Sequence, residues 1–203
     1  MSDASPSPGR IAIALFPDVE ELDFAGPWEV LSYWAREVAP PGWDVVTVAA
    51  TTDPIRAAKG LRVVPDHTLH DVGPLAVFLM PGGIGTRKQL DPDEPLHVAL
   101  RAMQSAGTLL TSVCTGALVY AAAGLLRDRP ATTHWQALEL LSSIDPTIDV
   151  RPDARYVDDG DVITAAGVSA GIDMALHLVQ RLDSTDAAKQ VKAEIQYDPQ
   201  PPV

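Results

Sequence analysis

The chain carries one cysteine, Cys114, in the stretch Thr108-Leu109-Leu110-Thr111-Ser112-Val113-Cys114-Thr115-Gly116. The residues before it read as a buried strand, and the small residues after it open a helix. A sharp strand-to-helix turn lifts a side chain clear of the sheet edge and aims free backbone N–H groups at the same point, which is the geometry of a nucleophile elbow. Partial positive charge at a helix N-terminus favours thiolate over thiol. Cys114 is therefore read as an ionised nucleophile at the carboxyl end of a strand, where open α/β sheets bind ligands. The competing reading is a buried, inert cysteine packing as a small hydrophobe.

Three further segments could serve such a thiol. In Pro81-Gly82-Gly83-Ile84-Gly85-Thr86 the glycines follow an apolar strand and let backbone approach a ligand. The spacing of a phosphate-binding loop is absent, so a backbone N–H of Gly82 or Gly83 is expected to stabilise negative charge near Cys114. Asp23 sits beside Leu22 and Phe24, where burial would raise its pKa and suit it to general acid/base work. An N-cap role is the alternative for that aspartate. Histidine is the usual base beside a catalytic cysteine, but Thr115 follows Cys114. His134 is the remaining candidate, with a capping role as its competitor. His67 and His70 lack a third ligand, so no metal is expected.

The elements that must position these groups are legible from pattern. Residues 11–16, 44–50, 75–80 and 108–113 are short apolar or β-branched runs without alternation, as strands buried on both faces require. A short strand is expected at 62–64 and a hairpin at 155–157 and 162–165, with a loop through Pro65 and His67. Helical spacing marks 24–38, 94–104, 117–126, 135–141, 171–183 and 185–195, with Pro27 in the first turn of its helix. Alternating strands and helices predict an α/β three-layer sandwich, a mostly parallel twisted sheet with helices on both faces. Residues 1–10 read as a disordered polar tail, 11–198 as one domain and 199–203 as a Pro-rich tail.

The 203 residues include 15 basic and 27 acidic side chains, a net charge of -12. Such a surface repels phosphate backbones, so neither nucleic acid nor an anionic membrane is expected as a partner. No apolar run reaches the ~18–20 residues that cross a bilayer. The N-terminus lacks the basic start and apolar stretch of a secretory signal. A lone cysteine excludes an intrachain disulfide. The expectation is a soluble cytoplasmic protein.

Several segments resemble the ThiJ/PfpI superfamily, with its flavodoxin-like, class I glutamine-amidotransferase-like fold: LFPDVEELDFAGPWEVL (15–31), FLMPGGIG (78–85), TSVCTGALVYAAAGLLRDRPATTHW (111–135) and ITAAGVSAGIDMALHLV (163–179). Within it they are most similar to the isonitrile hydratase group. The resemblance puts the nucleophile on Cys114, the neighbouring threonine on Thr115 and the catalytic aspartate on Asp23. It puts oxyanion-type backbone donors on Gly83 and Thr115, and a pocket wall at Val168. It implies hydration of an isocyanide to an N-substituted formamide through a cysteine thioimidate, no cofactor, a small-molecule substrate and a homodimer. The alternatives are a glyoxalase-, deglycase- or amidase-like enzyme, or a redox- or ligand-sensing domain like those of AraC-type regulators.

Overall fold

The computed structural model describes residues 9–91 and 93–198; the polar start and the Pro-rich end of the chain lie outside them. Strand β1 (Arg10–Ala14) leads into helix α1 (Glu21–Tyr33) and then strand β2 (Asp44–Ala49). The small hairpin β3 (Ile55–Arg56) and β4 (Arg62–Val63) precedes strands β5 (His67–Thr68) and β6 (Val77–Met80). Helix α2 (Pro95–Ser105), strand β7 (Leu109–Val113) and helix α3 (Gly116–Ala122) follow. Strand β8 (Pro130–Ala131), helix α4 (Leu138–Ile144) and strand β9 (Asp149–Val150) come next. The chain then forms β10 (Tyr156–Asp158), β11 (Val162–Ala165), α5 (Ala170–Leu182) and α6 (Thr185–Glu194).

Among the described residues, seven strands form the central sheet in the order β10-β11-β7-β6-β1-β2-β5. Every neighbouring pair is parallel except β10 with β11. Helices α1, α5 and α6 pack on one another, and α3 packs on both α2 and α4. Right-handed crossovers place α1 (β1 to β2) and α2 (β6 to β7) on opposite faces, because the two connections run in opposite directions across the sheet. The expected three-layer α/β sandwich is the observed architecture. The strands Val77–Met80 and Val162–Ala165 are buried throughout; the first reads as an unbroken apolar run, and the second carries Thr164. Among the described residues no helix is long and apolar enough to cross a membrane.

Five local features differ from the sequence reading, one being that the helix expected over 117–126 ends at Ala122. Strand β1 opens at Arg10, which the reading left in the tail; its guanidinium lies 2.9 Å from Asp44 Oδ2 across the β1–β2 pair. Helix α1 starts at Glu21, so Pro27 lies inside it rather than in its first turn, and the last residues of the expected helix (Trp34–Val38) form a π-turn. The segment at His67 is strand β5, not loop, because Asp66 Oδ2 accepts hydrogen bonds from Thr47 N (2.8 Å) and Thr47 Oγ1 (2.7 Å) and docks it on β2. The helix expected over 135–141 begins as a 3₁₀ turn (Trp135–Ala137) before α4.

The sheet order reverses beside β1. The chain steps from β1 outward to β2, and later returns to β6 on the other side of β1. That switch point leaves a crevice at the carboxyl ends of β1 and β6. The connections leaving β1, β6 and β7 carry Asp23, in the first turn of α1, with Gly82 and Cys114.

Candidate active site

Cys114 sits between the end of β7 and the start of α3 with φ 56. The left-handed region is costly for a residue with a Cβ, of order 1–3 kcal/mol, and persists only where surroundings hold it. Here Cys114 N–H is shared between the carbonyls of Ala165 (3.1 Å) and Ala166 (3.0 Å). Cys114 O accepts a 2.7 Å hydrogen bond from Thr133 Oγ1. The elbow is thus gripped at both ends, and the side chain is turned toward Asp23.

Asp23 is completely buried. It lies in the first turn of α1, whose N-cap is Glu20, so it does not cap its own helix. Asp23 Oδ2 accepts from Gly82 N–H at 2.9 Å. Its Oδ1 has no hydrogen-bonding oxygen or nitrogen among the described residues. The polar side chain beside the carboxyl is the Cys114 thiol. Burial pushes the Asp23 carboxyl up from an ordinary 3.8 to about 7; the Gly82 N–H opposes the rise and the charge of Glu20 adds to it. A carboxyl poised there can take and return a proton near neutral pH.

The thiol departs from the sequence expectation. Burial pushes Cys114 up to about 12, and the neighbouring Asp23 carboxylate adds to the rise. The N–H groups of Thr115 and Val168 point at the sulfur and pull the other way without prevailing. The expected helix N-terminus effect is real but smaller than the cost of burying a thiolate next to a carboxylate. At rest the sulfur holds its proton, and the adjacent carboxyl is the group that can remove it.

The glycines act differently from the expectation too. Gly82 N–H is engaged by Asp23 and Gly83 N–H by Thr115 Oγ1 (2.9 Å), so both are committed to holding the site together. A Cβ at Gly82 would meet Thr115 N at 2.5 Å and Asp23 Oδ2 at 2.8 Å, so only glycine fits between them. Gly83 has φ 121, a region open to glycine alone. Thr115 Oγ1 also donates to Gly83 O (3.2 Å), and fully buried Thr86 donates to the same carbonyl at 2.8 Å. The backbone donors that face the sulfur are therefore Thr115 and Val168. Val168 holds φ 45, a strained value for a β-branched residue.

His134 does not join the pair. Its Nδ1 accepts Gln136 N–H at 3.3 Å as the cap of a 3₁₀ turn, and a Cβ on Gly167 would strike its ring at 2.4 Å. Among the described residues no set of three or more His, Cys, Asp or Glu converges as a metal site.

The family model described as the DJ-1/PfpI family matches residues 9–181. The chain belongs to the DJ-1/PfpI family. It is 38% identical over 194 residues to an isonitrile hydratase of Pseudomonas putida, covering 95% of this chain and 80% of that protein. It is 27% identical to a glutathione-independent glyoxalase of Caenorhabditis elegans, covering 87% of this chain and 91% of the relative. A ThiJ/PfpI family protein from Pseudomonas syringae superposes with a TM-score of 0.85 at 31% identity, covering 98% of this chain and 79% of that one.

One residue of this DJ-1/PfpI site escaped the sequence reading. Thr133 is buried, and its hydroxyl reaches the elbow carbonyl from a loop distant in sequence; nothing in local pattern signals that contact. Thr133→Val keeps the shape but leaves the Cys114 carbonyl unpartnered in the interior, a loss of about 1–3 kcal/mol. The expected outcome is a lower melting temperature and an altered rate of Cys114 alkylation by iodoacetamide, both restored in Thr133→Ser. If Thr133→Val alkylates like the parent chain, the hydroxyl does not position the nucleophile.

Proposed function

We propose that this chain hydrates an isocyanide to an N-substituted formamide. The observation that carries the reading is the direct pairing of Cys114 with a buried, proton-exchanging Asp23 and no histidine; the relationship to an isonitrile hydratase supports it. An isocyanide carbon accepts a nucleophile and then a proton. As Cys114 sulfur bonds to that carbon, its proton passes to Asp23. Asp23 returns the proton to the same carbon, giving a neutral thioimidate. Water then adds to the carbon, with Asp23 relaying one of its protons to nitrogen. Collapse forms the formamide carbonyl, breaks the carbon–sulfur bond and returns the remaining proton to sulfur. One water is consumed, and covalent catalysis divides one difficult addition into two easier ones. The N–H groups of Thr115 and Val168 stabilise the sulfur while it is anionic. Gly82, Gly83 and Thr115 Oγ1 fix the carboxyl and the loop around it.

The proposal includes a homodimer acting in the cytoplasm on a small uncharged substrate. Leu22 and Ile84, next in sequence to Asp23 and Gly83, are 38% and 67% exposed. Apolar surface of that kind suits either a partner copy or an apolar substituent at the mouth.

The test is direct: cyclohexyl isocyanide is supplied and N-cyclohexylformamide measured, beside a parallel assay for lactate from methylglyoxal. Formamide with no lactate is expected. Lactate without formamide would replace this reading by a glyoxalase one. The starting state needs the thiol protonated and Asp23 ionised, so the pair must have lost its first proton. With that step near the Asp23 value of about 7, kcat/KM is expected to rise about tenfold per pH unit below it and to level above it. A profile flat from pH 5 to 8 would contradict the proton relay.

A further inference from the structure

A second cavity, of about 580 Å³, opens beside the carboxyl ends of β1, β2 and β6, and neither Cys114 nor Asp23 lines it. Its size lies within the ~300–1,000 Å³ of ordinary small-molecule sites. Phe16 and Leu69 form apolar wall, and Leu96 and Ala99, one turn apart on α2, face them. Small side chains create the space: Ala99 stands where a helix packing onto a sheet would usually present a larger residue. Thr51, His70, Gln89 and Glu94 are the polar residues of an otherwise apolar lining; Thr51 and His70 are exposed and hydrogen-bonded to Asp53 and Asp71. Gln89 Oε1 is buried with no hydrogen-bond partner among the described residues. A buried acceptor without a donor is costly, of order 1–3 kcal/mol. A mostly apolar cavity with one orphaned acceptor is complementary to an apolar molecule carrying one N–H or O–H donor. The carboxylate of Glu94, on a chain of net charge -12, disfavours an anionic head group.

We propose that this cavity is a binding site, separate from the Cys114 site, for an uncharged apolar molecule with a single hydrogen-bond-donating head, of the aliphatic amide class. The chain packs inside against Phe16 and Ala99, and the head donates to Gln89 Oε1. The site also touches the catalytic architecture: a Cβ at Gly85, two residues after Gly83, would meet the Phe16 ring at 2.9 Å. Phe16 thus separates the cavity from the loop that holds Asp23 in place.

The experiment titrates the whole chain with octanamide, methyl octanoate and octanoate by calorimetry. Octanamide is expected to bind saturably and at least tenfold tighter than the ester, which offers no donor, with octanoate weakest. Gln89→Met should erase the difference between amide and ester. Ala99→Leu fills the space and should abolish amide binding while raising the melting temperature. Cys114→Ala should bind octanamide like the parent chain. Equal binding of amide and ester, amide binding that survives Ala99→Leu, or binding lost in Cys114→Ala would each overturn the proposal. The last outcome would place the ligand in the catalytic site. Because binding is read without turnover, failure here leaves the proposed hydration untouched, and failure of that reaction leaves this site standing.

Discussion

Replacing Asp23 with asparagine is expected to make Cys114 easier to ionise and yet far less productive. Proton transfer by a positioned carboxyl contributes roughly 10²–10⁴-fold to a rate, so isocyanide turnover in Asp23→Asn should fall by about that factor. The Asp23 charge is also one of the forces holding the thiol up near 12. Removing it should move the midpoint for alkylation by iodoacetamide to lower pH. The two measurements run in opposite directions, which a general loss of structure cannot imitate. Cys114→Ala should lose turnover altogether. Turnover preserved in Asp23→Asn, or an alkylation midpoint that fails to fall, would remove Asp23 from the chemistry.

The same substitution is expected to stabilise the fold. The Asp23 carboxyl titrates near 3.8 when free and near 7 in the folded chain. Between those values the folded state binds more proton than the unfolded one, so stability falls as pH rises from about 4 to about 7 and is constant above. Above pH 7 the buried carboxylate costs about 2–4 kcal/mol relative to a neutral group. Asparagine keeps an oxygen for Gly82 N–H and carries no charge. Urea unfolding should find Asp23→Asn and the parent chain closely matched at pH 4, with the variant more stable by about 2–4 kcal/mol at pH 8. A gap that is absent at pH 8, or that shrinks as pH rises, would mean that Asp23 is not held against its ionisation.

The pattern of apolar runs located the long strands because a strand covered by helices on both faces has nowhere to put a polar side chain. It found β4 but missed the other two-residue strands, β3, β5, β8 and β9; at β5 the pairing depends on single side-chain contacts such as Asp66 with Thr47. Helix starts slipped by a few residues at α1, since acidic Glu21 and Asp23 look like a loop until Asp23 is seen to be buried. Within the site, residue type and position offered Cys114 and Asp23 as candidates, with an N-cap role left open for Asp23; the fold sets the two side chains together. The charge state of Cys114 was not legible: it follows first from how deeply the fold buries the sulfur and then from the carboxylate set beside it, and both are tertiary properties. The same holds for the glycine N–H groups. The sequence places them near the nucleophile, while only the fold reveals that Asp23 and Thr115 already occupy them.

The central sheet ends on one side in the three residues of β10 and on the other in the two residues of β5. Margins that brief offer a neighbouring molecule almost no exposed ladder to extend, a device by which β proteins resist edge-to-edge fibril growth. Two copies of this chain that come together must therefore do so by interlocking side chains of helices and loops, and mutations that break such a pair should leave each sheet whole.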